Sequence, residues 1–207
     1  MSDAAPVLGV LAGLIGVADT VPYVRDIARQ STRPHRGTWL IWSVLATMVC
    51  FSQLADGATW SLVMAGTQAV LTGLILGLAI RFGTGGLSRA DGVLLAIAGC
   101  GVAGWFVADA PIVATACVVA ADLIGIGMMV PKTWCDPRSE TLSTFALASL
   151  SGALAAGSVA ALDPALLLYP AYFCLGNGAL ALLILHRRAI LHGTVRKPGV
   201  LAPREAV

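Results

Sequence analysis

Asp122 is the residue with the most to explain in this chain. It lies near the middle of an almost wholly apolar stretch, 111–131. A carboxylate at the centre of a bilayer costs about 2.5–3.5 kcal/mol on insertion scales, so it normally faces a cavity or a partner. Two readings follow. Asp122 binds a proton or a substrate, or it is a neutral acid bonded to a neighbouring helix. Asp19 lies one turn before Pro22. It could bond the backbone that a proline frees, pair with Arg25, or line a gate and touch substrate. Asn177 and Gln68 are amides in the middle of two other apolar stretches, at similar depth. Trp42 needs a partner for its indole N–H if buried, and facing a cavity would supply one. For Gln53, Ser52, Thr47 and Ser151, ordinary interhelical hydrogen bonds are the default.

Enzyme chemistry is not expected. His35, His186 and His192 all fall at the edges of the apolar stretches, with no nucleophile–base or metal-ligand spacing joining them. No metal or cofactor is called for. A retinal Schiff base needs a lysine within the last stretch, and Lys132 and Lys197 both lie outside the stretches. Cys50, Cys100, Cys117 and Cys174 fall in apolar segments and Cys135 in a basic loop, without a disulfide or zinc pattern.

Helices must position these residues. The chain has 207 residues, 57% hydrophobic and 12% charged, with mean hydropathy +0.85. A soluble domain carries about 25% charge. The apolar runs approach the twenty or so residues that cross about 30 Å of hydrocarbon, and they do not alternate as barrel strands would. The expectation is an all-α integral membrane protein with seven spans, at 6–24, 38–55, 60–80, 91–108, 111–131, 142–161 and 165–185. The amino terminus has no basic region before an apolar core, which argues against a removed signal peptide.

Charge orients the spans. All thirteen Lys and Arg residues fall in alternate connections or in the tail. Arg25, Arg29, Arg33 and Arg36 follow the first span, Arg81 and Arg89 the third, and Lys132 and Arg138 the fifth. Arg187, Arg188, Arg196, Lys197 and Arg204 follow the seventh. By the positive-inside rule these segments are cytoplasmic and the amino terminus is outside. The arginine cluster with His35 could also attract anionic headgroups, though a topology signal explains it. The opposite turns carry Asp56, Asp109 and Asp163, read as helix caps, with Pro164 at a first helical position. Gly9 with Gly13, and Gly73 with Gly77, have the spacing of close helix crossings. Trp39, Trp60 and Trp105 sit near span ends, where an interfacial belt is the default.

Seven spans divide as three, one and three, which makes the two triplets parallel. The first triplet is 6–80, the linker 91–108 and the second triplet 111–185, with 186–207 a cytoplasmic tail. The letters agree. Leu14-Ile15-Gly16 precedes Val21-Pro22, and Leu123-Ile124-Gly125 precedes Val130-Pro131, 109 residues later throughout. Thr38 to Ser43 echoes Thr144 to Ser149. Pro22 and Pro131 each remove a helix N–H. The result is a hinge or a helix stop, and its repetition favours the hinge.

Two parallel three-helix units, a linker helix, an outside amino terminus and a proline closing the first helix of each unit resemble the SWEET and PQ-loop transporter superfamily over residues 6–188. The Pro-Gln dipeptide of PQ-loop proteins is Pro22-Tyr23 and Pro131-Lys132 here, and spans 2 and 6 lack the further prolines of SWEET proteins. The segment Thr32-Arg33-Pro34-His35-Arg36-Gly37-Thr38-Trp39 is similar to that of uncharacterised bacterial membrane proteins. The resemblance implies a midplane site between the units, with Asn177 matching in kind the Asn on the third helix of a SWEET-like unit. Gln68 is its counterpart, two residues out of register.

The function expected is transport of a small solute (sugar, amino acid or organic acid), facilitated or proton-coupled, in a cell membrane, most readily a bacterial inner membrane. A non-transporting seven-helix receptor or interaction protein is the alternative. The partners are the lipid bilayer and the solute, with no nucleic acid. A homo-oligomer stays open.

Overall fold

Helices account for nearly all of the chain, as its continuous apolar runs require. The computed structural model describes residues 4–55, 60–86, 88–107, 111–159 and 164–195. Helix α1 spans Ala4–Ala18, α2 Thr20–Ala28, α3 Arg36–Ala55, α4 Trp60–Phe82, α5 Arg89–Val107, α6 Pro111–Cys135, α7 Leu142–Ser158 and α8 Pro164–Val195. A short 3-10 turn, Pro137–Ser139, joins α6 to α7. Helices α1 and α2 are one rod bent at Asp19. The cause is Pro22, which cannot donate to the carbonyl of Ala18. Pro131 lies within an unbroken α6. Neither proline stops its helix. The cap expectations at Asp56, Asp109 and Asp163 lie outside the described residues, but α8 does begin at Pro164. It continues to Val195 rather than ending at 185, so the expected tail starts as helix.

Four stretches are long and apolar enough to cross a membrane: Ala5–Ala28, Arg89–Val107, Thr115–Cys135 and Leu167–Leu191. Arg36–Phe51, Gly66–Phe82 and Leu142–Ser158 are shorter apolar helices. At 1.5 Å per residue, the described length of α7 is about 25 Å, a little under the hydrocarbon thickness. Large apolar side chains face outward, among them Val107, Leu175 and Val70. In water such a surface would be an aggregation liability. Against lipid it costs nothing.

The packing follows a consistent order. Helix α4 packs on α3 and more lightly on α1 and α2, and α3 does not approach α1 among the described residues. Likewise α8 packs on α7 and α6, and α7 does not approach α6. Helix α1 also runs along α7 and α3 along α6, while α5 lies on α6 and touches α3. Among the described helix glycines, the closest approach to the backbone of another helix is at Gly152 on α7. A Cβ there would lie 2.5 Å from the backbone nitrogen of Cys174 and 2.8 Å from its Cα, both on α8. The spaced pairs read from sequence contribute less: Gly9 and Gly73 are in ordinary contact and Gly77 faces open space.

The basic connections all meet at one end. Arg33 N donates to Ser139 O at 2.9 Å, Arg36 N to Thr84 O at 3.0 Å, and Arg188 Nε to Pro137 O at 3.0 Å. His35 is buried under the α4–α5 connection. Its Nε2 stands 4.0 Å from Asp91 Oδ1. Asp91 is fixed by a reciprocal cap, in which Ser88 Oγ donates to Asp91 Oδ2 at 2.8 Å and receives Asp91 N at 3.0 Å. Burial holds the His35 pKa below its ordinary value, with Asp91 pulling it up and Lys132 and Arg36 pushing it down.

Two predictions follow from this packing. Gly152→Val forces α7 and α8 apart and should lower stability by about 1–3 kcal/mol; an unchanged unfolding midpoint in denaturant would mean the helices are not held so close. His35 binds its proton less readily when folded than unfolded, so the unfolded state takes up more protons below about pH 6.5. Thermal stability should therefore fall as pH drops through that value, and His35→Gln should flatten the slope. Parent and variant melting curves that shift in parallel with pH would contradict this.

Candidate functional site

Polar side chains inside an apolar bundle must find partners within it, and here they do so at two levels. The inner level is built around Asp122. Its carboxylate is 8% exposed, and Tyr172 on α8 donates its hydroxyl to Oδ2 at 2.5 Å. Trp42 on α3 lies beside the same carboxylate but closes no hydrogen bond of normal geometry, so its Nε1 is buried without a partner. The two Tyr rings, Tyr169 and Tyr172, are 6.4 Å apart. Three helices, α3, α6 and α8, thus converge on one acid. Helix α6 can turn Asp122 inward because Gly125, one turn on, leaves room: a Cβ there would stand 3.1 Å from Trp42 Nε1.

Asn177 is buried on α8, and its Nδ2 donates to Phe173 O of its own helix at 2.9 Å. Gln68 is half-buried on α4, a helix that approaches neither α6 nor α8 among the described residues. The structure therefore does not bring Gln68 to Asn177 or Asp122. Asp19 is buried at the bend, where Thr20 Oγ1 donates to its Oδ1 at 3.2 Å. Arg25 is not its partner; that guanidinium pairs instead with Asp26 at 3.3 Å. The Asp19 carbonyl accepts from Thr144 Oγ1 on α7 at 2.9 Å. Ser151 behaves as expected, donating across to Ala12 O at 2.8 Å. The side chains of Ser52 and Gln53 lie outside the described residues.

The second level is at the basic end and was not anticipated. Glu140 is fully buried. Tyr23 donates its hydroxyl to Glu140 Oε2 at 2.9 Å, and Lys132 Nζ donates to Oε1. Lys132 also reaches the carbonyl oxygens of Arg33 and Ser139. Trp39 Nε1 donates to Tyr23 Oη at 3.1 Å, and Arg188 Nη2 donates to Glu140 O at 2.7 Å. Burial pushes the Glu140 carboxyl above the usual carboxylate range, opposed by the Lys132 charge and by the bonds from Lys132 and Tyr23. Trp39 is consequently a core residue, 5% exposed, and not part of an interfacial belt. Beside it, Thr32 and Thr141 share a 2.7 Å hydrogen bond, and Thr141 Oγ1 approaches Asp26 Oδ2 at 3.0 Å.

Between the two levels lies an apolar layer of Met129, Phe145, Leu180, Ile184 and the Tyr23 and Trp39 rings. Asp122 and Asn177 are both buried, and neither is among the residues lining the grooves seen on the described residues. A groove of about 400 Å³ runs between the α1–α2 rod and α4, lined by Val17, Thr20, Val21, Val24, Arg25, Leu71 and Leu74. Sequence reasoning missed Tyr172, Tyr23, Lys132 and Glu140 as site residues. A signal for the last three was present: Tyr23 and Lys132 directly follow the two prolines, and Glu140 is a lone Glu in a basic connection.

No protein-family model, curated protein or solved structure matches this chain.

The bond from Tyr172 to Asp122 should be the heaviest polar contact of the inner level. Interhelical bonds in membranes average about 0.6 kcal/mol, whereas leaving a buried acceptor unsatisfied costs about 1–3 kcal/mol. Tyr172→Phe should therefore cost about 1–2 kcal/mol in a reversible unfolding titration, and Asp122→Asn less, since the Asn oxygen still accepts from Tyr172. A Tyr172→Phe loss no larger than that of Asp122→Asn would show that the bond carries little.

Proposed function

We propose that this chain is a membrane-embedded transporter of a small solute, built as two parallel three-helix units joined by α5. The amino terminus is outside, the basic end is cytoplasmic, and Asp122 is the solute- or proton-binding acid. The observation that carries the reading is the matched exchange of contacts between the halves. The first helix of each half runs along the second helix of the other, α1 on α7 and α6 on α3. Gly16 and Gly125, 109 residues apart, occupy the same place in this exchange. A Cβ at either would stand 3.1 Å from a side chain of the facing helix, Ser151 for Gly16 and Trp42 for Gly125. Thr38 donates to Gly125 O at 2.6 Å, and Thr144, its counterpart, donates to Asp19 O, three residues beyond the equivalent of Gly125. This is the contact pattern expected of two units related by an axis along the membrane normal, and it supports the resemblance to SWEET and PQ-loop transporters. Units that meet through two equivalent seams can rock about Pro22 and Pro131, exposing Asp122 and Asn177 to one side and then the other.

A second reading has its own support. Asp122 and Asn177 are both buried, which suits a seven-helix receptor or interaction protein that does not transport. Uptake decides between them. The purified chain in liposomes should accumulate at least one member of a panel of sugars, amino acids and organic acids, tested with and without a pH gradient. Asp122→Asn should abolish or shift the pH dependence of that uptake. No uptake under any condition would leave only the second reading. Unchanged pH dependence in Asp122→Asn would remove the proton from Asp122.

A further inference from the structure

The prolines of the two halves are followed by different residues, Tyr23 and Lys132, yet both side chains end on one carboxylate. They occupy equivalent places, 109 residues apart, as do Thr32 and Thr141, which touch each other directly. Equivalent residues from two halves meet only near the axis that relates the halves. Glu140 therefore sits on the seam between the halves at the basic end, where contacts must break for the halves to separate.

The composition of this junction is informative. A buried ion pair adds little net stability over apolar packing of the same volume, whereas removing one partner is strongly destabilising. Stability alone does not call for Glu140 in a chain so rich in apolar residues. A junction that must open is different. It needs contacts that are firm when complete and that gain water readily when one is lost. Lys132 meets that need, because its side chain keeps 15% exposure while Glu140 has none. Water can reach the ammonium first. The junction also covers the apolar layer of Met129, Phe145, Leu180 and Ile184. Asp122 lies ten residues before Lys132 on α6, a rise of about 15 Å, so this layer separates it from the basic end.

We propose that Glu140 is the latch of the basic end: paired with Lys132 of its own half, it holds Tyr23 of the other half while Lys132 holds the Arg33 carbonyl there, and loss of these contacts lets the halves part. The proposal rests on the two-unit reading given above and adds to it the closed state and the group that keeps it closed. Arg188 belongs to the frame and not to the latch. It grips the carbonyl oxygens of Glu140 and Pro137 and so keeps the connection on α8 when the carboxylate lets go.

The test is a distance across the latch in the full chain, in lipid, without solute. Cys135 is native and exposed, and Ala28, at the end of α2, is exposed. With Cys50, Cys100, Cys117 and Cys174 replaced, spin labels on Cys135 and on Ala28→Cys report the separation of the halves. Glu140→Gln should raise the fraction of the longer-distance population at least threefold over the parent, and Tyr23→Phe should raise it by a smaller factor. Tyr23→Phe keeps the ring packing and loses only the hydroxyl, so it carries the test if Glu140→Gln does not fold; the double variant Glu140→Gln with Lys132→Met, which leaves no unpaired charge, gives a second route. Distances that superimpose on the parent in folded variants, with only the melting temperature lowered, would make Glu140 a static bolt and overturn the proposal. The uptake assay separates the two claims. Longer distances without uptake of any solute would sink transport and keep the latch. Uptake with unchanged distances would do the reverse.

Discussion

Helices that are apolar nearly all round have no hydrophobic stripe to tell them which face to bury. Between such helices, in lipid, the hydrophobic effect gives no direction either, and packing falls to close backbone contact and to polar groups that need partners. That constraint organises this bundle. Gly152 lets α7 lie on the backbone of α8. Thr38, Thr144, Ser149 and Ser151 each donate to a carbonyl of another helix. The glycines and hydroxyls that look unremarkable in composition are what select one arrangement from many.

The same constraint explains why the polar groups gather at two depths. At the inner level a single acid takes a hydroxyl from Tyr172, with an indole at its side. At the basic end a lysine, a tyrosine and a glutamate satisfy one another under the connections. The layer between them is built of Met129, Phe145, Leu180, Ile184 and the Tyr23 and Trp39 rings.

Much of this was legible in the letters. The seven helices begin and end within a few residues of the expected spans, because length and composition alone decide where an apolar helix can run. The exceptions have local causes. Helix α6 continues past Pro131 to Cys135 and α8 past 185 to Val195, since a proline or an arginine ends an apolar stretch without ending a helix. Asp122 was readable as a buried acid because nothing near it in sequence could solvate it. Its partner was not, since Tyr172 meets it only through the packing of α8 on α6. Trp39 was misplaced for a related reason. Its position at a span end suggests an interface, but it packs on the Tyr23 and Trp42 rings in the core, and its indole N–H donates to Tyr23. Position along a helix reports depth; it does not report what other segments cover that depth.

Glu140 shows the limit most clearly. In sequence it is the lone Glu of a connection that also holds Lys132, Asp136 and Arg138, a weak signal on its own. It becomes the centre of the basic end only because two segments more than a hundred residues apart deliver a hydroxyl and an ammonium to the same point. Repetition in the sequence was the available route to it. The two Val-Pro pairs fix a register, and the residues that follow each pair are then equivalent by position even though they differ in kind. A symmetric pair would have placed two tyrosines or two lysines there, and one carboxylate would satisfy two lysines poorly. The asymmetric pair, one neutral donor and one cation, gives a single Glu both a charge to balance and a hydrogen bond to accept. On the two-unit reading proposed above, the difference between Tyr23 and Lys132 suits their meeting on one acid.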